Sequence, residues 1–92
     1  MIIIRAHLFI SGRVQGVFYR LAMRQKAKNF GVKGFCKNFS DGRVEAVIEG
    51  EEEKVNKLIN WTKRGPMFAK VMNVEIIEEQ YKGEFDEFKI VY

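Results

Sequence analysis

The chain has 92 residues, of which 47% are hydrophobic and 30% are charged, and its formal net charge is +4 at pH 7. This length and composition predict one folded domain over residues 1–92 and exclude a disordered or membrane-spanning chain. One cysteine excludes both an internal disulfide and a cysteine-based zinc site, and we expect a cytoplasmic, monomeric protein. The positive net charge predicts that its partners are anionic.

The first third of the chain predicts a strand, a loop and a helix. Residues 5–12 alternate between apolar and more polar side chains, which predicts a strand with an uncharged core face. Residues 13–19 follow as a loop, and apolar side chains at helical spacing predict a helix over residues 20–30. We expect Gly31 to end this helix, because glycine readily adopts the left-handed backbone of a C-terminal cap.

The rest of the chain predicts a hairpin, a second helix and two further strands. Strands over residues 32–39 and 43–50 are joined by a Ser-Asp-Gly turn, which makes them a hairpin. A helix is predicted over residues 51–63, with acidic residues in its first turn and Gly-Pro after its end. Strands over residues 71–79 and 85–92 complete the chain.

This element order indicates an α+β, ferredoxin-like split βαβ sandwich with a short terminal strand added. The two halves of the chain have similar lengths, and each contains a strand, a helix and a strand. We therefore expect an antiparallel sheet with both helices on one face and a right-handed first crossover. Phe9 and Phe35 would then lie on the outer face, as a covered or self-associating patch.

The loop before the first helix has the features of an anion-binding site. Gly12 and Gly16 give the backbone access to unusual angles, so that successive N–H groups can converge on one anion. The helix start and the guanidinium of Arg20 would add positive charge. A plain strand-to-helix turn with a surface arginine is the alternative. The predicted N–H donors are Gln15, Gly16, Val17, Phe18, Tyr19 and Arg20.

Two segments resemble the signatures of the acylphosphatase family. Residues 12–20, Gly-Arg-Val-Gln-Gly-Val-Phe-Tyr-Arg, are similar to the first signature, and residues 34–42, Gly-Phe-Cys-Lys-Asn-Phe-Ser-Asp-Gly, are similar to the second. Shorter matches extend the resemblance over essentially the whole chain. It implies a small, ferredoxin-like enzyme without a cofactor or metal, which hydrolyses acyl phosphates, the mixed anhydrides of carboxylic and phosphoric acids.

The resemblance also implies roles for two residues. Arg20 would bind the phosphoryl group together with the loop N–H groups, and Asn38 would hold the attacking water. Asn38 shares a predicted core-facing strand face with Cys36, where an amide needs a hydrogen-bond partner, although a turn-capping role is the alternative. No base is evident, so a substrate phosphate oxygen would take the proton. The expected partners are a small-molecule acyl phosphate and, as competing anion, inorganic phosphate or sulfate.

Other residue patterns favour structural roles. His7 lies on the predicted outer face without a second histidine or cysteine, so we expect neither a metal site nor a base there. Cys36 lies on the predicted core face, so we expect it to be a small buried apolar residue rather than a nucleophile. Trp61 is predicted to be a core residue.

Two alternative functions use the same fold. Ferredoxin-like domains also bind RNA, and Lys33-Gly34-Phe35 begins like an RNA-binding signature, but the residues that follow depart from it. We therefore expect no nucleic-acid partner. Acylphosphatase-like domains also begin larger carbamoyl-transfer proteins, whereas a chain ending at Tyr92 favours a free-standing enzyme.

Overall fold

A computed structural model describes residues 1–92 as a five-stranded sheet with two helices packed on one face. The order of strands in the sheet is β4-β1-β3-β2-β5, which confirms the predicted α+β, ferredoxin-like arrangement. The elements are β1 (Ile3–Arg13), α1 (Tyr19–Phe30), β2 (Lys33–Asn38), β3 (Val44–Glu51), α2 (Glu52–Arg64), β4 (Lys70–Glu79) and β5 (Phe88–Ile90).

The sheet is mixed rather than wholly antiparallel, because β5 pairs with β2 in parallel. The other three pairings, β1–β3, β1–β4 and β2–β3, are antiparallel as predicted. The chain leaves β4 at one edge of the sheet and reaches the opposite edge before β5 begins, so β5 runs in the direction of β2. The regular part of β5, Phe88–Ile90, is shorter than the predicted strand over residues 85–92. Phe85 precedes it and packs against Phe35, with ring centroids 6.0 Å apart.

The core lies between the helices and the inner face of the sheet. Alternate residues of β1 and β3 are buried there, as the sequence pattern predicts. Both helices contribute stripes of apolar side chains at helical spacing. The buried residues that follow these patterns are Ala6, Leu8, Ile10, Val44, Ala46, Ile48, Met23, Ala27, Val55, Leu58, Ile59 and Trp61.

Gly31 ends α1 as predicted. Its backbone is left-handed, with φ 72° and ψ 31°, and its N–H donates to the carbonyl oxygen of Lys28 at 3.2 Å. The next N–H, of Val32, donates to the carbonyl oxygen of Ala27 at 2.8 Å. These two bonds satisfy carbonyl groups that the helix end would leave unpaired, and they direct the chain into β2.

The outer face of the sheet carries a buried ion-pair network that holds the connection between β4 and β5. Arg5 is only 7% exposed and contacts Glu49 at 3.1 Å and Glu79 at 2.8 Å, together with Glu84. Glu49 also accepts the backbone N–H group of Lys82 at 2.9 Å. Burial opposes the charge of Glu49, but the hydrogen bonds from Lys82 and Arg5 outweigh it and hold the pKa of this carboxyl below its usual range.

The two outer-face phenylalanines belong to separate aromatic groups. The Phe9 ring lies 4.7 Å from His7 and 5.6 Å from Phe39, and the guanidinium of Arg43 covers it at 4.5 Å. Phe35 instead packs under Phe85. The outer aromatic residues are therefore covered by the chain itself and do not form one patch.

Candidate active site

The loop between β1 and α1 turns through left-handed backbone at two positions. Gly16 has φ 75°, and Phe18 has φ 62° and ψ 22°. Phe18 is the one residue other than glycine with a positive φ, a conformation that strains a residue with a large side chain. The strained turn brings the loop directly into α1, which begins at Tyr19.

The backbone N–H groups of this segment are free. From Gln15 to Leu21, no N–H group has an acceptor within the chain, and the first bond of the helix is that of Ala22 to the carbonyl oxygen of Phe18 at 3.0 Å. The helix start has no side-chain cap and no acidic residue in its first turn. An uncapped helix end with free donors and no competing carboxylate is suited to bind an anion.

Arg20 places a guanidinium beside these donors. It has no carboxylate partner, and its guanidinium lies over the ring of Tyr92, 5.1 Å from the ring centroid. The side chain borders a surface pocket of about 300 Å³ with no acidic residue in its wall. The lining residues are Val14, Gly16, Phe18, Tyr19, Arg20, Leu21, Ile90 and Tyr92.

Asn38 is the last residue of β2, and it is exposed at the strand end. By alternation Asn38 shares the strand face of Gly34 and Cys36, as predicted, but its side chain is exposed and lacks the hydrogen-bond partner that we expected. The turn-capping alternative is also not observed, since Asp41 accepts the backbone N–H of Arg43 at 3.1 Å and so caps the turn. The amide of Asn38 has no partner within the chain and remains free to bind another molecule.

The contacts on either side of Asn38 bring the strand end to the loop. The Sγ atom of Cys36 lies 3.9 Å from the carbonyl oxygen of Arg20. On the other side, the carbonyl oxygen of Phe39 accepts a hydrogen bond from the side chain of Gln15 at 2.9 Å. Asn38 does not line the pocket beside Arg20, but it lies between two contacts to the same loop and helix start.

Gln15 has a second role that the sequence pattern did not reveal. Its side-chain amide donates to the carbonyl oxygens of both Phe39 and Arg43, each at 2.9 Å. The pattern predicted Gln15 only as a backbone donor. Its acceptors are backbone groups far along the chain, for which a single sequence carries no signal.

Tyr19 fixes the start of α1 against α2. Its hydroxyl donates to the carbonyl oxygen of Thr62 at 2.7 Å, and its ring lies 5.4 Å from Trp61. Burial raises the pKa of Tyr19, so the hydroxyl stays protonated and keeps donating. Gly65, after the end of α2, leaves room for the ring: a Cβ atom there would lie 2.9 Å from the Tyr19 Cε2 atom.

Cys36 and His7 do not supply chemistry at this site. Burial raises the pKa of the Cys36 thiol to about 12, although Arg20 and Arg24 oppose the rise, so the thiol is neutral and not nucleophilic. His7 lies on the outer face of the sheet, between Glu45 at 2.6 Å and Glu79 at 3.2 Å.

No group of three metal-ligating side chains comes together in the chain. None of its helices is long and apolar enough to cross a bilayer.

A larger cleft of about 750 Å³ lies between α2 and the strands β1 and β4. Its acidic wall residues are Glu52, Glu78 and Glu79, and its basic ones are Arg5 and Lys63. Arg5 is already paired with carboxylates, and Lys63 is outnumbered by Glu52 and Glu78, so this cleft offers little free positive charge to an anion. The smaller pocket beside Arg20 is therefore the better anion site.

A family model and individual relatives both assign this chain to the same family. Residues 6–90 match the family model described as Acylphosphatase. An acylphosphatase from Pyrobaculum islandicum is 53% identical over 89 residues, which cover 96% of this chain and 94% of the relative.

Solved structures share the fold. The crystal structure of acylphosphatase from Bacillus subtilis superposes with a TM-score of 0.93 at 32% identity, covering 97% of this chain and 99% of that one. A crystal structure of full-length HypF in the phosphate- and nucleotide-bound form gives a TM-score of 0.89 at 29% identity. That match covers 99% of this chain and 12% of HypF, so the same fold also occurs as a small part of a longer protein.

Proposed function

The chain belongs to the acylphosphatase family, and we propose that it hydrolyses acyl phosphates to a carboxylate and phosphate at the site formed by the 13–18 loop, Arg20 and Asn38. One observation carries this assignment of the site: the backbone N–H groups from Gln15 to Leu21 are free and lie beside an arginine without a carboxylate partner. The nucleic-acid alternative is not favoured, because neither this family nor these residues point to base recognition.

Phosphoryl binding follows from the charge and geometry of the donors. The phosphoryl group of an acyl phosphate has three equatorial oxygens that carry the negative charge in the transition state. The guanidinium of Arg20 can donate to two of them at once, and the loop N–H groups can donate to the remaining positions. These donors are fixed by the backbone before the substrate arrives, so they stabilise the transition state at little cost in reorganisation.

Asn38 is proposed to orient the water. Its amide oxygen can accept a hydrogen bond from the water, and its amide N–H group can donate to a phosphoryl oxygen. The water oxygen then bonds to phosphorus, the bond from phosphorus to the acyl oxygen breaks, and its electron pair leaves with the carboxylate. The water proton passes to a phosphoryl oxygen, because Cys36 is neutral and His7 lies on the other face of the sheet.

We also propose which anions compete for the site, the oligomeric state of the protein and its compartment. Inorganic phosphate and sulfate carry oxygens like those of the substrate and should compete for the Arg20 site. The proposed state is a monomer, and one continuous core supports a single domain over residues 1–92. The buried, reduced thiol of Cys36 is compatible with the cytoplasm.

The direct test is phosphate release from benzoyl phosphate in the presence of EDTA, corrected for spontaneous hydrolysis. We expect turnover that is insensitive to EDTA and is inhibited competitively by inorganic phosphate. Absence of turnover would refute the enzymatic function, and inhibition by EDTA would refute the metal-independent mechanism. An RNA gel shift that persists at physiological salt would instead support the nucleic-acid alternative.

A further inference from the structure

We propose that the turn between α2 and β4 docks the protein on an anionic membrane surface. Met67 and Phe68 insert among the lipids, and lysine side chains beside them contact the headgroups. This contact holds the protein on one leaflet, as a peripheral protein, and needs no membrane-spanning helix. It does not depend on the proposed enzymatic activity.

The turn presents two large apolar side chains to water. The backbone N–H of Ala69 donates to the carbonyl oxygen of Pro66 at 3.0 Å, which closes a four-residue turn with Met67 and Phe68 as its tip. Met67 is 88% exposed and Phe68 is 66% exposed. The residues that favour such turns are glycine, proline, asparagine, aspartate and serine. The turn itself therefore does not require this apolar tip, which points to a contact outside the chain.

The turn is anchored on both sides of the tip. The ring of Pro66 restricts the backbone that enters it, and Ala69 packs against the core where the chain leaves it. These anchors keep Met67 and Phe68 directed away from the protein. A tip that is already formed and exposed can enter a lipid layer without first unfolding part of the chain.

Cations flank the turn, and carboxylates do not neutralise them. Lys63 lies in the last turn of α2, and Lys70 is the first residue of β4. Residues 54–74 contain five lysine or arginine residues and no aspartate or glutamate. Among these five cations, only Lys54 has a carboxylate partner, Glu51. Each free cation near an anionic bilayer adds to the attraction between the two surfaces.

This combination fits a bilayer better than another macromolecule. A protein partner would need a much larger complementary surface than two side chains on a protruding turn. A nucleic acid could contact the cations through its phosphates, but Met67 and Phe68 have no hydrogen-bonding group with which to read a base edge. An anionic bilayer has negative headgroups for the lysines and hydrocarbon directly beneath them for the apolar tip.

Vesicle sedimentation tests the contact with the wild-type protein. Vesicles of phosphatidylcholine alone are compared with vesicles of phosphatidylcholine and phosphatidylglycerol in equal parts, at low and at physiological salt. We expect partition into the anionic vesicles to be about tenfold stronger. Part of it should persist at physiological salt, because salt screens the lysines but not the inserted side chains. Equal partition into both kinds of vesicle, or none, would overturn the proposal.

The apolar contribution is tested by a double variant, Met67→Ser with Phe68→Ser, which should lower the partition about tenfold. Ile2→Ser is the matched control. Ile2 is 62% exposed, but it lies beside the acidic residues 51–53, which an anionic surface repels. Its replacement should leave the partition unchanged. Wild-type partition in the double serine variant would overturn the insertion of the tip.

The lysines are tested in the same way. Lys63→Gln with Lys70→Gln should weaken the partition about tenfold at low salt. Lys28→Gln with Lys33→Gln removes the same charge near the other end of the helices and should weaken it less than about threefold. Equal losses in the two variants would mean that net charge, rather than the turn, attracts the protein. All four lysines are partly or fully exposed except for none that is buried, so thermal unfolding should change little.

A tryptophan at the tip reports its depth. The emission of Phe68→Trp should shift to shorter wavelength on anionic vesicles and should be quenched by brominated phosphatidylcholine. The wild-type Trp61 is 6% exposed in the core and should not be quenched, so it serves as the reference. Binding without quenching of the Phe68→Trp variant would overturn the insertion. Self-association in solution, or an RNA gel shift, that is lost in the double serine variant would assign the tip to that partner instead.

Discussion

The side-chain amide of Gln15 donates to the carbonyl oxygen of Phe39 at 2.9 Å and so joins the proposed anion-binding loop to the residue after Asn38. A second hydrogen bond, to the carbonyl oxygen of Arg43 at 2.9 Å, joins the loop to the far side of the same hairpin turn. The spacing between the proposed phosphoryl-binding and water-binding groups is therefore set by a side chain that need not touch the substrate.

Gln15→Ala should lower kcat about tenfold while changing the inhibition constant of phosphate less than threefold. The loop N–H groups and Arg20 remain in place, but Asn38 is less well fixed relative to them, and misplacement of a reacting group is costly. Steady-state kinetics with benzoyl phosphate and phosphate inhibition give both values. Gln25→Ala, an exposed position on α1, is the control. An equal loss in kcat and phosphate affinity would mean that Gln15 shapes the anion site itself.

Arg20→Ala should lower kcat/KM about a thousandfold and abolish inhibition by phosphate, because the loop alone lacks a charged donor. Arg20→Lys keeps the charge but not the two-pronged geometry, so it should recover only part of the loss. Arg20 has no ion pair to lose, and thermal unfolding should change little. Arg64→Ala, at the end of α2, is the matched arginine control. Retained phosphate inhibition in Arg20→Ala would contradict its role.

Asn38→Ala should lower kcat about a hundredfold and leave phosphate inhibition within about threefold of the wild-type value. The amide is exposed and has no partner within the chain, so its removal costs orientation of the water rather than folding. Asn73→Ala removes an exposed asparagine from β4 and provides the control. Near-normal turnover in Asn38→Ala would show that another group holds the water.

Acid should destabilise the protein through Glu49. Its pKa is lower in the folded chain than the ordinary value of about 4.3, so its contribution is present above that value and is lost as the pH falls through the folded pKa. Glu49→Gln should unfold more easily at pH 7, by about 1–3 kcal/mol, and should lose less stability on acidification. Urea titrations at pH 7, 5, 4 and 3 measure both effects.

Glu87→Gln is the control for this experiment, because Glu87 is exposed and its carboxylate has no ion pair. Glu79 adds to the same acid sensitivity, since the hydrogen bond from Arg5 lowers its pKa as well. The two carboxylates share Arg5, so their effects should not be additive. A Glu49→Gln variant that lost stability in acid as steeply as the wild type would contradict the contribution of Glu49.

Local patterns predicted most of the fold, and they also led to the candidate site. Alternation placed Leu8 and Ile10 in the core, and the left-handed cap at Gly31 followed from its place after an apolar helical stripe. The loop before α1 was predicted as an anion site from its glycines and from Arg20. Each of these features depends on residues that are close together in the chain, and such local patterns can be recognised in a single sequence.

The features that were missed depend on distant partners. The alternation of residues 5–12 is consistent with Arg5 on the outer face of β1, but it gave no sign that carboxylates from three later segments would bury this arginine. The parallel pairing of β5 depends on the path of the chain from one sheet edge to the other. The contact of Tyr92 with Arg20 requires both that path and the hydrogen bond from the Val91 N–H to the carbonyl oxygen of Cys36. Strand and helix periodicity carries none of this information.

The contact between Tyr19 and Gly65 determines which substitutions the chain can tolerate. The ring that precedes Arg20 occupies the space that any side chain at position 65 would need, and Gly65 also has φ 72°. A systematic mutational scan read out by activity would therefore mark Gly65 as intolerant, although it contacts no substrate. A side chain at position 65 would therefore require both that the ring of Tyr19 moves aside and that the backbone leaves its left-handed angles.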